Sequence, residues 1–262
     1  MFNNKKVLIT GGASGIGMIM VEKLLWEGAE VCVWDYSESN LERLKYDLDV
    51  ATMLVDISDS ESVMRAADKY FEEIGDIDIL INNAGIVVGG SFEENSIADI
   101  DKVMEVNVNG AMYVTRAFLP QMIAQGKGNI CNIASSAGFI SNPNMSVYVA
   151  SKWAMMGWAD SLRLEQEKNN TGVKVTTIMP YYINTGMFDG VKSRIPILDP
   201  EKVADIILKS IKKGSKQVPI YTWLYRLTRF AQAVFSVKIF DFLAGRVFGV
   251  YSTMDAFVGR KS

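Results

Sequence analysis

Tyr148 and Lys152, within Tyr148-Val149-Ala150-Ser151-Lys152, have the residue types and spacing that suit proton transfer. On a helix their i, i+4 spacing sets the phenol and the ammonium on one face. A free tyrosine titrates at about pH 10, too high for proton exchange at neutral pH. A nearby cation favours the phenolate, so Lys152 is expected to lower that value. Ser135 stands 13 residues before Tyr148, at the end of an expected strand, where its hydroxyl would hold a substrate oxygen beside the phenol. Ser136 is its rival for that role. Asn107, in Val106-Asn107-Val108-Asn109-Gly110, is an amide in apolar surroundings within an expected long helix. Asn is disfavoured there, so a specific reason is expected, such as holding a water against Lys152. The chain has no histidine. That excludes Ser-His-Asp and Cys-His nucleophile systems, removes zinc's commonest nitrogen ligand, and leaves no metal site expected.

A second constellation lies near the start. Thr10-Gly11-Gly12-Ala13-Ser14-Gly15-Ile16-Gly17 follows an expected strand and opens an expected helix. Glycines there allow a tight turn and bring backbone N–H groups close to a pyrophosphate at the positive helix end. Alone, such a turn is a common strand-to-helix loop. Asp35, 18 residues after Gly17 and at the end of the second expected strand, strengthens the reading. Its carboxylate suits the two ribose hydroxyls of NAD and repels the extra phosphate of NADP, whereas capping the following helix is its alternative use.

These residues need strand ends and helix starts at fixed places. From Lys6 to Met179 short β-branched runs alternate with longer amphipathic stretches, the pattern of βαβ units around a parallel sheet. Strands are expected at residues 7–9, 30–34, 51–55, 77–81, 129–133 and 174–178, with helices near 15–28, 38–48, 59–74, 98–125 and 147–168. A helix over about 200–213 and a strand over 217–221 follow. The expected fold class is α/β: one doubly wound domain with a parallel sheet over residues 1–221, then a helical, aromatic and basic appendage over 222–262.

Composition narrows the function classes. A formal net charge of −3 gives no basic face of the kind nucleic acid requires. Cys32 and Cys131 sit singly in strand-like runs and are expected to be buried free thiols, which suits a reducing compartment. The polar stretch Met1 to Lys6 leads straight into a strand, so no signal peptide or N-terminal anchor is expected, and no apolar run is long enough to cross a membrane.

Taken together, these motifs resemble the short-chain dehydrogenase/reductase family from about Lys5 to Met187. The resemblance implies a Rossmann domain with a catalytic tetrad at Asn107, Ser135, Tyr148 and Lys152. It implies cofactor contacts from Gly11, Ser14, Gly15, Ile16 and Gly17, from Asp35, and from Asp56 and Ile57. Asn83, Ala84 and Gly85 of Asn82-Asn83-Ala84-Gly85 would flank the adenosine half, Gly138 follows Ser135 as the family pattern has it, and Tyr148 and Lys152 would also touch the cofactor. Pro180, Ile183 and Thr185 would border the nicotinamide, although Tyr181 stands where many members have glycine. That variant and Ile197-Leu198-Asp199-Pro200 resemble the branch of retinol and hydroxysteroid dehydrogenases. The resemblance also implies a homodimer or homotetramer.

The segment from Ile206 to Arg246 holds eight basic residues and one acid, Asp241, leaving −10 for the remainder of the chain. Aromatic residues from Trp223 to Phe248 are woven through it. Two readings stay open for residues 222–250: a peripheral membrane-surface element, or a substrate lid or subunit contact. Cytoplasmic localisation, with or without such peripheral attachment, is expected. The expected activity is NAD-dependent interconversion of an apolar alcohol and its carbonyl compound, acting on a retinoid, steroid or long-chain alcohol. The alternatives are a 3-oxoacyl thioester reductase and a cofactor-binding lipid-surface protein without turnover.

Overall fold

The computed structural model describes residues 2–259. Seven strands, β1 (Lys6–Thr10), β2 (Glu30–Asp35), β3 (Ala51–Leu54), β4 (Ile79–Asn82), β5 (Gly128–Ile133), β6 (Val173–Met179) and β7 (Gln217–Pro219), form one parallel sheet in the order β3-β2-β1-β4-β5-β6-β7. All seven expected strands are present, with ends displaced by about two residues at most. Their apolar runs are continuous because helices cover both faces of the sheet.

On one side lie α1 (Gly15–Trp26), α2 (Glu38–Asp47) and α7 (Pro200–Lys213). On the other lie α3 (Ser60–Glu73), α4 (Ile97–Met104), α5 (Ala111–Ala124) and α6 (Ser146–Lys168). The pleat of β1 divides its side chains between the two cores. Val7 and Ile9 join Met20, Val21 and Leu24 of α1, while Leu8 joins Tyr70 of α3 and Phe118 of α5. Local sequence sets the helix ends: Asp199 accepts from the Glu201 N–H ahead of Pro200, and Gly214, with φ of +64°, closes α7 in the left-handed conformation. Cys32 and Cys131 are buried and form no disulfide, and burial pushes the Cys32 thiol up to about 12.

One expected element is corrected. The stretch 98–125 is not one α-helix: between α4 and α5, residues Glu105–Gly110 form a π-turn. The wider turn is pinned by Asn107, whose amide bonds outside its own helix, and by the Gly110 backbone, where a Cβ would lie 2.8 Å from the Ile57 side chain. Beyond β7 the appendage forms α8 (Thr222–Val234), α9 (Val237–Phe242) and a further turn at Leu243–Val247. No helix among the described residues is long and apolar enough to cross a membrane.

The core on the α3 and α5 side centres on Phe118, whose ring lies 5.1 Å from Tyr70, 5.1 Å from Phe71 and 5.5 Å from Trp34. Phe118→Ala is expected to cost about 3–5 kcal/mol, read as a lower urea midpoint at unchanged m. A loss below about 1 kcal/mol would show that this cluster is not part of the cooperative core.

Candidate active site

β1 and β4 are neighbours in the sheet, so the chain winds away from them in opposite directions and opens a crevice at their C-terminal ends. The glycine turn leaves β1 there. Gly11 has φ of +63°, and a Cβ on it would lie 2.8 Å from the Ala84 Cα; one on Gly17 would overlap the Gly11 carbonyl. The Thr10 hydroxyl accepts from the N–H groups of Asn83 at 3.1 Å and Ala84 at 3.2 Å. The Asn83 amide donates back to the carbonyls of Thr10 at 3.0 Å and Gly11 at 2.9 Å. Asn83 thus spends its side chain bracing the turn. Gly15, Ile16 and Gly17 form the first turn of α1, whose N–H groups lack intrahelical acceptors. A cradle that tight, at the positive end of a helix, fits a dinucleotide's phosphates.

Asp35 is buried at the end of β2, accepting from the Ala13 N–H at 3.2 Å and the Ser37 N–H at 3.1 Å. Ser37, not Asp35, caps α2, through the Asn40 N–H. One N–H on each oxygen leaves the carboxylate lone pairs for further donors. Asp56 follows β3, where burial raises its pKa but bonds from the Ser58 hydroxyl and N–H outweigh that and hold it below the usual range. Ile57 turns its side chain into the core against Gly110.

Tyr148 and Lys152 are buried on α6, which begins as the chain returns towards the ends of β4 and β5. Lys152 Nζ lies 5.5 Å from the centre of the Tyr148 ring and donates to the Ile133 carbonyl at 3.1 Å. Burial lowers its pKa to about 8. The expected lowering of the phenol is not met by the chain's own groups. Burial drives Tyr148 upward, and the hydrogen bond with Ser135 pulls it back only in part. Lys152 Nζ lies over the Tyr148 ring, and its hydrogen bond goes to Ile133. Ser135 therefore takes the place beside the phenol. Its hydroxyl also accepts from the Ala137 N–H at 3.1 Å, while the Ser136 N–H is spent on the Pro180 carbonyl at 2.7 Å.

The Asn107 amide spends both N–H groups and one oxygen lone pair on the protein, which leaves its other lone pair for a further donor. Its Oδ1 accepts from the Ile86 N–H at 2.8 Å, and its Nδ2 donates to the Ile86 carbonyl at 2.9 Å and to Ser151 Oγ at 3.0 Å. Ser151, between Tyr148 and Lys152, passes the link to the Tyr148 carbonyl at 2.7 Å. Gly85 packs under both groups, since a Cβ there would lie 3.2 Å from Asn107 Oδ1 and 3.7 Å from Lys152 Nζ.

A pocket opens in front of the phenol, walled by Ile140, Met145, Tyr181, Tyr182, Phe188 and Val250. Phe188 stands edge-on to Tyr148 with ring centres 5.8 Å apart. Tyr181 bonds Ser193 at 2.9 Å and is pushed by burial up to about 12. Pro180 and Ile183 follow β6, Ile183 bridging to Leu198, and the Thr185 N–H turns back to the Ile183 carbonyl at 2.9 Å. The far wall comes from the chain's end: Thr253 Oγ1 lies 3.0 Å from the Tyr182 hydroxyl and accepts from Asn142 Nδ2 at 2.7 Å. Ser151, Asn142, Tyr182 and Thr253 were invisible in the sequence as a set, because their partners lie in distant segments. Only the position of Ser151 inside the Tyr-to-Lys spacing offered a hint.

Comparison with known proteins follows the same lines. Residues 5–195 match the short chain dehydrogenase family. The chain is 35% identical to epidermal retinol dehydrogenase 2 of Mus musculus, over 97% of this chain and 85% of that one. It is 34% identical to estradiol 17-beta-dehydrogenase 11 of Pongo abelii, over 85% of this chain and 76% of that one. Among solved structures, a short chain dehydrogenase/reductase from Burkholderia phymatum in complex with NAD superposes with a TM-score of 0.81 at 26% identity, covering 88% of this chain and 94% of that one.

The buried ammonium makes a stability prediction. Lys152 has a folded pKa of about 8, below its ordinary value of 10.5. Below the folded value both folded and unfolded chains carry the charge, so the full cost of burying it applies. As pH rises from about 8 through 10.5 the folded chain releases its proton first and that cost fades. Lys152→Met is therefore expected to raise Tm at neutral pH by about 2–4 °C and to lose this advantage in strongly alkaline buffer. An unchanged or lower Tm at neutral pH would mean that the bond to Ile133 outweighs the burial cost.

Proposed function

The chain belongs to the short-chain dehydrogenase family and is an oxidoreductase acting on CH–OH groups; from that premise we propose that its cofactor is NAD(H) and its substrate an apolar alcohol, or the corresponding carbonyl compound, of retinoid, steroid or long-chain type. The observation that carries the substrate reading is the apolar part of the pocket wall, Ile140, Met145, Phe188 and Val250, facing the hydroxyls of Ser135 and Tyr148. An alcohol oxygen placed at Ser135 and Tyr148 finds hydrogen bonds there, and the rest of the molecule meets these apolar side chains and the rings of Tyr181 and Tyr182. The relatives named for retinol and estradiol support the same reading.

When bound, the nicotinamide supplies the hydride acceptor or donor. Ser135 Oγ holds the substrate oxygen, and Tyr148 Oη takes the hydroxyl proton in oxidation or returns it in reduction. Lys152, held by Ile133, supplies positive charge behind the ring that favours the phenolate. Asp35 supports NAD over NADP, because a second anion beside a buried carboxylate is repelled.

Two variants test this. Tyr148→Phe is expected to lower turnover by about 100-fold or more while NADH affinity, read by fluorescence, stays within about threefold. Turnover within about tenfold of wild type would remove Tyr148 from the chemistry. Asp35→Ala is expected to narrow the preference for NADH over NADPH in a spectrophotometric screen of retinol, steroid and long-chain alcohols. A wild type that prefers NADPH would overturn the role given to Asp35.

A further inference from the structure

The outer face of α8 is not accounted for by the fold or by the active site. Trp223, Leu227, Phe230 and Val234 are 50%, 42%, 60% and 57% exposed. At 3.6 residues per turn they fall within an arc of about 60°. Leu224, Thr228 and Ala231, on a neighbouring arc, are the buried residues that seat α8 on the protein. The apolar stripe continues past the helix through exposed Phe235, Val237, Ile239 and Phe242. A soluble helix normally turns such a stripe inward.

Charge distinguishes the possible occupants. Arg226 and Arg229 lie beside the stripe on the side away from the buried arc, and Lys238 and Arg246 extend the basic rim. All four are exposed, and none has an ion pair among the described residues. From Thr222 to Arg246 the only acid is Asp241, whose carboxylate accepts from the Tyr251 hydroxyl at 2.6 Å. The segment therefore carries +3, leaving −6 for the rest of a chain whose net charge is −3. A second copy meeting this face across a two-fold axis would bring cation against cation, with no free acid to answer. A bilayer with anionic headgroups supplies both complements: hydrocarbon for the stripe and negative charge for the rim.

We propose that α8 and α9 form a membrane-surface element that lies in the interface of an anionic bilayer, with Trp223, Leu227, Phe230 and Val234 in the acyl boundary and Arg226 and Arg229 among the headgroups. The opposite side of α8 rests on the loop that follows Ser135. Tyr225 stands edge-on to Phe139 at 5.1 Å, and Gln232 Nε2 donates to the Phe139 carbonyl at 2.8 Å. Docking thus sets the pocket beside the bilayer, and an apolar alcohol dissolved there reaches Tyr148 without crossing bulk water. This last consequence rests on the proposed substrate class; the docking itself does not.

The experiment uses the whole chain and reads binding, not turnover. Wild type is mixed with vesicles of phosphatidylcholine, with and without phosphatidylserine, at low and high salt, and sedimented. Binding is expected with phosphatidylserine, weakening by about tenfold or more without it or in high salt, together with a blue shift of fluorescence that Trp223→Phe removes. Leu227→Glu with Phe230→Glu is expected to abolish binding, and Arg226→Gln with Arg229→Gln to weaken it by about tenfold and flatten its salt dependence. All four positions are exposed, and NADH affinity checks that each variant is folded. Wild type that stays in the supernatant under every condition overturns the proposal. So does vesicle binding unaffected by both double variants, or a wild-type oligomer that the glutamate pair converts to monomers without vesicle binding at any stage, which would make the face a subunit contact.

Discussion

The amide of Asn107 joins the parts on which the cleft depends. Its oxygen and nitrogen clamp both backbone groups of Ile86, the stretch running on from β4, and its second donor reaches Ser151 on α6. Three segments distant in sequence are thereby held in one register: the end of β4, the π-turn before α5, and the helix that carries Tyr148 and Lys152. An ordinary α-helical turn at Asn107 would aim the amide elsewhere, so the wider turn and the long-range bonds require each other. Because Asn107 and Ser151 are buried, removing one of them would strand the other's bonding group away from water at a cost of about 1–3 kcal/mol. The same joint places Gly85 tightly against Asn107 and Lys152, which explains a glycine at the end of Asn82-Asn83-Ala84-Gly85 by space, not by backbone freedom.

Within that frame the site holds a lysine and a tyrosine whose environment resists their charged forms. Lys152 is lowered to about 8 and Tyr148 is raised, both by burial. The ammonium binds a carbonyl and the phenol a serine hydroxyl, so each buried polar group has a partner although burial still disfavours its charged form. Elsewhere the core is conventional, with alternate strand residues sent to two apolar layers.

Much of this was legible in the sequence because it depends on local pattern. The strands announced themselves as apolar runs, the glycine turn by its place after the first of them, and Ser135, Tyr148 and Lys152 by spacing that a strand end and a helix convert into proximity. What was not legible depends on contacts between distant segments. Periodicity could not distinguish a π-turn from the helix around it, so 98–125 read as one element. The bracing role of Asn83 and the occupied amide of Asn107 follow from backbone groups whose positions no motif states. The direction of the Tyr148 shift also depended on burial. Spacing shows that a cation is near, but not how far from water the phenol lies.

The C-terminal segment shows why a single function was hard to assign to it. Its inward residues complete the pocket: Val250 and Thr253 are buried, and Thr253 joins Tyr182 and Asn142. Its outward residues on α8 are equally apolar and remain uncovered by the chain. A helix apolar on two sides satisfies only one of them by packing on its own domain, and the other must find a second apolar phase or remain a cost in water. The lid reading rests on Val250 and Thr253, beyond α8 and α9, and the membrane-surface proposal on the outer face of α8, so the two do not exclude each other. The α8 face still has a mechanical link to the pocket: whatever moves α8 also acts on Phe139, through Tyr225 and Gln232, and so on the loop that begins at Ser135.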